Sequence, residues 1–267
     1  MSQYDYKEIC HKVIKLTEEV GHFIATERQN FDDSKIEYKG LNDLVSYVDK
    51  TAEQKIVHGL EAIMPEAGFI GEEGTNKSSN NGLKWIIDPL DGTTNFIHGI
   101  PIFSISIGLV SETDYCLGVV REVNLEECFY AWKDGGAFLN GTPIQVSRQT
   151  ELKKGLIATG FPYYDFEKMP QYMNILMGMM EGCHGVRRLG SAAVDLAYVA
   201  CGRLEGFFEY NLNAWDVAAG AIIVKEAGGV VSTFSNAPSY IEDREIIAAP
   251  PSIHQEMQDV IYKKWNS

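Results

Sequence analysis

The stretch Trp85-Ile86-Ile87-Asp88-Pro89-Leu90-Asp91-Gly92-Thr93-Thr94-Asn95-Phe96 sets an apolar run directly against two acids. Trp85, Ile86, Ile87 and Leu90 have the character of a buried strand, whereas acids are normally kept in water. Pro89 fixes φ and supplies no N–H, so the run predicts a strand ending at Asp88 and then a turn. Such a turn brings residues i and i+3 close, so Asp88 and Asp91 can share one ion, with the Leu90 carbonyl pointing the same way. Gly92 lets a ligand approach the backbone. Thr93 and Thr94 offer hydroxyls, and the N–H groups after the turn can face an anion. Alone, the pattern is equally that of an ordinary Asx-rich turn.

Three other stretches change the balance. In Phe69-Ile70-Gly71-Glu72-Glu73-Gly74 an apolar strand again runs into acids. In Ala214-Trp215-Asp216 an acid sits at a helix start, behind a tryptophan. Asp43 and Asp49 flank the start of another helix. Each has a plainer reading by itself: a solvated loop, a helix-start acid favoured by the dipole, a solvated helix face. Together they place several carboxylates at strand and helix ends with no Lys or Arg inside the motifs. In a cleft these charges repel one another, and divalent cations resolve the repulsion. The donors are hard oxygens, which select Mg²⁺ over zinc.

Bulk composition frames this reading. The 267 residues are 45% hydrophobic, enough for a sizeable core, and 22% charged. The net charge of -14 argues against nucleic acid and anionic membrane as default partners. It also raises a question if the ligand is itself an anion, and metals would answer it: an acidic protein can hold a phosphate if two or three stand between them. Cys10, Cys116, Cys128, Cys183 and Cys201 are odd in number, dispersed and free of any Cys-x-x-Cys, which fits buried thiols in a reducing compartment. The polar start MSQYDYKEIC has no signal-peptide character, and the apolar stretch near Ile100–Val110 is too short to span a bilayer. A soluble, cytoplasmic protein is expected.

Periodicity predicts a helix over the first ~30 residues (Ile9, Val13, Leu16, Val20, Phe23 or Ile24) and a second carrying Val48, Ala52, Ile56, Leu60 and Ile63. Strands are expected at 68–71, 83–88, 103–110, 116–122 and 128–132. Asn140-Gly141 predicts a hairpin between 137–139 and 144–146. Short connections imply an antiparallel meander in residues 1–150, an α+β half. Residues 151–267 read as an α/β half, with strands at 156–159, 205–209 and 246–249. Its helices are expected at 169–180, 191–200, 214–227 and 252–265. No linker separates the halves, so one rigid unit spanning 1–267 with a cleft between the halves is expected. No Ser–His or Cys–His nucleophile is evident, which points to direct attack by water.

Gly71-Glu72-Glu73, Trp85–Phe96 and Trp215-Asp216-Val217-Ala218-Ala219-Gly220 resemble the signatures of the inositol monophosphatase family. So do Asp43-Leu44-Val45-Ser46, Gly190-Ser191-Ala192-Ala193 and Glu226-Ala227-Gly228-Gly229, and the resemblance covers nearly the whole chain. It implies a layered αβαβα sandwich and Mg²⁺-dependent hydrolysis of a phosphate monoester, with two or three ions. By that resemblance, Glu72, Asp88 and the Leu90 carbonyl hold a first metal, and Asp88, Asp91 and Asp216 a second. Glu72 touches a looser third, with Asp49 near through water. Thr93, paired with Asp49, orients the attacking water, and the Gly92 and Thr93 backbone faces the phosphate. Asp91, Ser191, Ala192, Glu209 and Asp216 adjoin the substrate, with Ala192 and Glu209 meeting its hydroxyls. Ser46 stands where the family often has Thr, and Lys39 is the candidate for a lysine often found before the second helix.

The resemblance also implies a homodimer and inhibition by lithium. Thr94-Asn95-Phe96 is similar to the inositol type, and Glu209 suits a polyol whose hydroxyls donate to it. A small phosphorylated polyol, inositol 1-phosphate first, is the expected substrate. Other family substrates remain open: fructose 1,6-bisphosphate, 3′-phosphoadenosine nucleotides, NADP and histidinol phosphate. Arg187-Arg188 is the one basic pair a nucleotide type could use, and it reads otherwise as solvated surface. A catalytically silent interaction protein with the same fold would lack a ligand residue; Glu72, Asp88, Asp91, Thr93 and Asp216 are all present.

Overall fold

The computed structural model describes residues 4–31, 36–40, 43–111, 114–163 and 166–265, with backbone only for 36–40 and 43–45. The side chains of Lys39 and Asp43 therefore lie outside the described residues.

Five layers stack in the order helices, sheet, helices, sheet, helices. The outer pair is α1 (Tyr6–Gln29) and α2 (Tyr47–Ile63). Asp5 caps α1 by accepting the Glu8 N–H at 3.1 Å. The faces Cys10, Val13, Val20, Ile24 and Val48, Ala52, Ile56, Leu60 are buried against the first sheet. That sheet has eight strands in the order β10-β9-β8-β7-β6-β5-β3-β4. Its members are β3 (Gly68–Gly71), β4 (Asn76–Lys77), β5 (Leu83–Asp91), β6 (Ser104–Ser111), β7 (Tyr115–Glu122), β8 (Glu127–Trp132), β9 (Ala137–Leu139) and β10 (Thr142–Ile144). A separate short hairpin, β1 (Ile36–Gly40) and β2 (Asp43–Ser46), leads into α2.

From β5 to β10 the strands form the expected antiparallel meander. The Asn140-Gly141 turn is tighter than its sequence suggested, so β10 starts at Thr142 rather than Ile144. β3 departs from the meander by pairing parallel to β5. Both strands therefore deliver their last residues to the same end of the sheet.

β6 explains how the next layer comes close. Ile105, Ile107 and Leu109 enter the outer core, while Ser104, Ser106 and Gly108 face the central helices. A Cβ on Gly108 would sit 3.1 Å from Ala218 Cβ, and one on Gly118 would sit 2.4 Å from the Ala219 carbonyl. These central helices are α5 (Ala192–Ala200) and α6 (Ala214–Glu226), rich in small residues, with α6 buried on all sides from Val217 to Val224. Ser106 Oγ donates to the Trp215 carbonyl at 3.1 Å, fixing the start of α6 over the sheet.

The second sheet has the order β12-β11-β13-β15-β14, formed by β11 (Leu156–Thr159), β12 (Gly185–Arg187), β13 (Gly206–Tyr210), β14 (Val230–Ser232) and β15 (Glu245–Ala249). Its far face buries Ile157, Phe208 and Ile247 against α4 (Met169–Gly182) and α7 (Pro251–Trp265). The short helix α3 (Thr93–His98) and the strands β4, β12 and β14 carry too few periodic residues to be read from sequence.

Candidate active site

β5 does not turn at Pro89 as expected; it continues to Asp91. Asp88 pairs with Ser106 and Asp91 with Ser104, so three steps on β5 match two on β6. This bulge has a consequence for side-chain direction. Residues three apart on a regular strand point to opposite faces, but one extra residue puts Asp88 and Asp91 on the same face. Pro89 suits the bulge because it has no N–H to leave unsatisfied. Gly92 follows with φ of 96° and caps α3 without a side chain. A Cβ there would lie 3.1 Å from both the Gly190 and Ile102 carbonyls.

Glu72, Asp88, Leu90, Asp91, Gly92, Thr93, Thr94, Arg188, Gly190 and Asp216 line one cavity of about 150 Å³. Sequence stretches up to 144 residues apart (Glu72 to Asp216) thus meet in one cavity. Asp49 stands behind this wall. Thr93 Oγ1 lies 2.9 Å from Asp49 Oδ1 and 3.0 Å from the Leu90 carbonyl; its single proton serves one of them at a time. Asp49 Oδ2 in turn accepts from the Ser46 N–H (2.9 Å) and Ser46 hydroxyl (2.7 Å). Ser191 Oγ and the Ala193 N–H donate to Asp91 Oδ2 at 2.6 and 2.7 Å, fixing that carboxylate from the start of α5. Asp216 lies in the first turn of α6 and accepts the Asn213 N–H at 2.6 Å.

The electrostatics are those of crowded acids. Burial pushes Asp88 well above the usual carboxylate range, and Glu72, Asp91 and Asp216 push it further. Burial, then Asp91, raises Asp216 to about 8. Asp91 is raised by burial, and the donors from Ser191 and Ala193 pull it back. Among the described residues no group of three His, Cys, Asp or Glu is already drawn together as a metal cage. The acids instead line a shared cavity with a backbone carbonyl, an oxygen-only donor set. That set, and the mutual repulsion within it, fits Mg²⁺ rather than zinc.

From the sequence, Arg188 enters only as half of a basic pair that a nucleotide type could use, not as a residue beside the acids. It reads as solvated surface, yet it lines the cavity and its charge opposes the upward shifts of Asp91 and Glu209. Gly190 brings it there, its Cα facing Arg188 and Asn95; Asn95 Nδ2 donates to the Ile102 and Leu189 carbonyls at 2.7 and 2.8 Å. Glu209 does not line this cavity. It lies to one side, over Gly160, where an added Cβ would fall 2.1–2.2 Å from its carboxylate. Burial lifts Glu209 to about 8, Arg188 opposing and Asp91 adding. Ala192 begins α5 beside Asp91.

Among the described residues a Ser–His pair does occur, Ser232 Oγ lying 2.8 Å from His254 Nε2, but not as a nucleophile. The two side chains are 4% and 5% exposed, so no substrate reaches them. All five cysteines are free, and burial raises each thiol. Among the described residues no helix is long and apolar enough to cross a membrane.

Comparison with known proteins agrees with this arrangement. The inositol monophosphatase family model matches residues 5–266. The Nus factor SuhB of Pasteurella multocida is 37% identical over 249 residues, covering 93% of each chain. The extragenic suppressor protein suhB of Bartonella henselae superposes with a TM-score of 0.90 at 35% identity, covering 95% of this chain and 98% of the other. The Thermotoga maritima IMPase superposes at 0.86 and 36% identity, covering 95% and 96%. With the layered fold and the acid-lined cavity in place, the chain belongs to the inositol monophosphatase family.

Proposed function

We propose that this protein is a Mg²⁺-dependent phosphate monoesterase whose preferred substrate is a small phosphorylated polyol, inositol 1-phosphate first. One observation carries the reading: Glu72, Asp88, Asp91, Asp216 and the Leu90 carbonyl face one cavity without a neutralising cation among them apart from Arg188 at the wall. Bound Mg²⁺ would neutralise these acids and the phosphate and lower the pKa of water. Glu72, Asp88 and Leu90 would hold one ion, and Asp88, Asp91 and Asp216 another.

The remaining roles fall to groups whose positions are fixed. When Thr93 donates to Asp49, its lone pairs are free to accept from a water in the cavity and orient it for in-line attack. Asp49 is held by Ser46, so Thr93 keeps that direction. Glu72 is the nearby base for the water's proton. Gly92 and the start of α3 present backbone to the phosphate, and Arg188 adds a guanidinium suited to its oxygens. Ser191 and Ala193 hold Asp91. Glu209 and Ala192 stand on the side where the alcohol would lie, and Glu209 would accept polyol hydroxyls. The cavity draws Glu72–Thr94 from residues 1–150 and Arg188, Gly190 and Asp216 from 151–267, which supports one functional unit. Lithium inhibition, a homodimer and a cytoplasmic location belong to the same proposal.

The test is phosphate release, with and without Mg²⁺, from inositol 1-phosphate, fructose 1,6-bisphosphate, 3′-phosphoadenosine 5′-phosphate, NADP and histidinol phosphate. The highest kcat/KM for inositol 1-phosphate is expected. A profile led by another ester keeps the hydrolase and discards the inositol label. The Nus factor name of the Pasteurella relative supports a second reading, a role apart from hydrolysis. Absence of phosphate release from every ester would turn the assignment to that role and reopen the question of a macromolecular partner.

A further inference from the structure

Glu53 was not singled out by sequence, yet it is 3% exposed and ends on the loop that carries Glu72. Its Oε2 accepts the Glu73 N–H at 2.8 Å. Its Oε1 accepts the Thr75 N–H at 3.0 Å and the Thr75 hydroxyl at 2.6 Å. The other backbone donors of this loop are also accounted for: Gly71 to the Thr75 carbonyl (2.7 Å), Glu72 to the Ile87 carbonyl (3.2 Å) and Gly74 to the Gly71 carbonyl (3.4 Å). Glu53 therefore supplies the external anchor on the far side of Glu72, and β5 supplies the near one. Gly71 makes room for it, since a Cβ there would lie 2.5 Å from Glu53 Oε2.

Asp49 precedes Glu53 by four residues, one turn of α2, on the same buried face. Asp49 holds Thr93 and Glu53 holds the Glu72 loop, so one rigid helix spaces two walls of the cavity. Neither acid lines the cavity itself.

We propose that Glu53 is a positioning residue for Glu72: by clamping residues 73–75 to α2 it fixes the Glu72 carboxylate opposite Asp88 and so sets the affinity of the site for Mg²⁺. This rests on the Mg²⁺ site of the proposed function. Groups that orient a metal ligand from behind change metal affinity by about 10- to 100-fold when removed.

The test uses the full chain and the variants Glu53→Gln and Thr75→Val. Gln keeps one acceptor but turns an N–H₂ toward a backbone donor; Val removes only the hydroxyl bond and is the milder, better-folding change. Mg²⁺ is titrated while tryptophan fluorescence (Trp215 directly precedes the cavity residue Asp216) and melting temperature are followed, with phosphate release as a parallel reading. The expected result is an Mg²⁺ midpoint raised about tenfold or more in E53Q and by a smaller factor in T75V, with activity largely recovered at saturating Mg²⁺. A lowered melting temperature with an unchanged midpoint in both variants means a merely structural role and overturns the proposal. A wild-type protein with no response to Mg²⁺ in any readout overturns the metal site and this proposal with it. A wild-type response that both variants share overturns this proposal alone.

Discussion

Two sets of buried acids sit within one fold and are treated in opposite ways. Asp49 and Glu53 on α2 are saturated with donors: Ser46 twice and Thr93 for the first, Glu73 and Thr75 for the second. Asp88, near the end of β5, accepts the Leu90 N–H at 3.0 Å from the bulge of its own strand and otherwise faces Glu72, Asp91 and Asp216. For Asp49, hydrogen bonds pull back what burial raises; for Asp88, the neighbouring acids Glu72, Asp91 and Asp216 all add to the rise. A carboxylate given its hydrogen bonds is a strut. Carboxylates buried against one another, with single donors from Leu90, Ser191, Ala193 and Asn213 but no cation between them, are a cation site waiting for its charge.

The sharpest break of this comparison is Asp91→Asn. Asn keeps an acceptor for the Ala193 N–H, so the fold should stand, but a charge shared by metal and substrate is lost. Phosphate release should fall about a thousandfold; near-normal kcat with saturating Mg²⁺ would erase the distinction between the two sets.

A second effect is thermodynamic. Burial raises Asp216 from an ordinary 3.8 to about 8, and Glu209 from 4.5 to about 8. Between those values the folded state binds more protons than the unfolded one, so stability falls as pH rises. Metal-free protein in EDTA should lose several degrees of melting temperature from pH about 5 to about 8, and Mg²⁺ at the upper end should restore them. A flat profile in EDTA would show the cluster is not held protonated.

The smallest expected effect lies at the edge of the site. Gly160→Ala would place a methyl group 2.1–2.2 Å from the present Glu209 carboxylate and displace it. Loss of one hydrogen bond to a charged group predicts KM for a polyol phosphate raised about tenfold. An unchanged KM would remove Glu209 from the alcohol side of the site.

Much of the site was legible because acids beside Trp85, Ile86 and Ile87, or behind Trp215, conflict with their surroundings, and that conflict is local in sequence. The bulge at Pro89 was not, because it exists only in the register of β5 against β6. Glu53 escaped for a related reason: its partners stand 20 and 22 residues away, and on α2 alone it looks like any polar helix residue. Arg188 reads as surface until Gly190 and Asn95 show where the chain carries it. Helices α1, α2, α6 and α7 were legible from their periodicity or apolar length, whereas α3, six residues long, spans fewer than two turns.

The most direct test of the contrast is calorimetric titration of Mg²⁺ into metal-free protein at neutral pH, repeated in buffers of different ionisation enthalpy to count protons. Ligands that must lose protons to bind a metal release them on binding. The account predicts Mg²⁺ binding with at least one proton released per chain, abolished in Asp88→Asn. No binding, or binding without proton release, would contradict it.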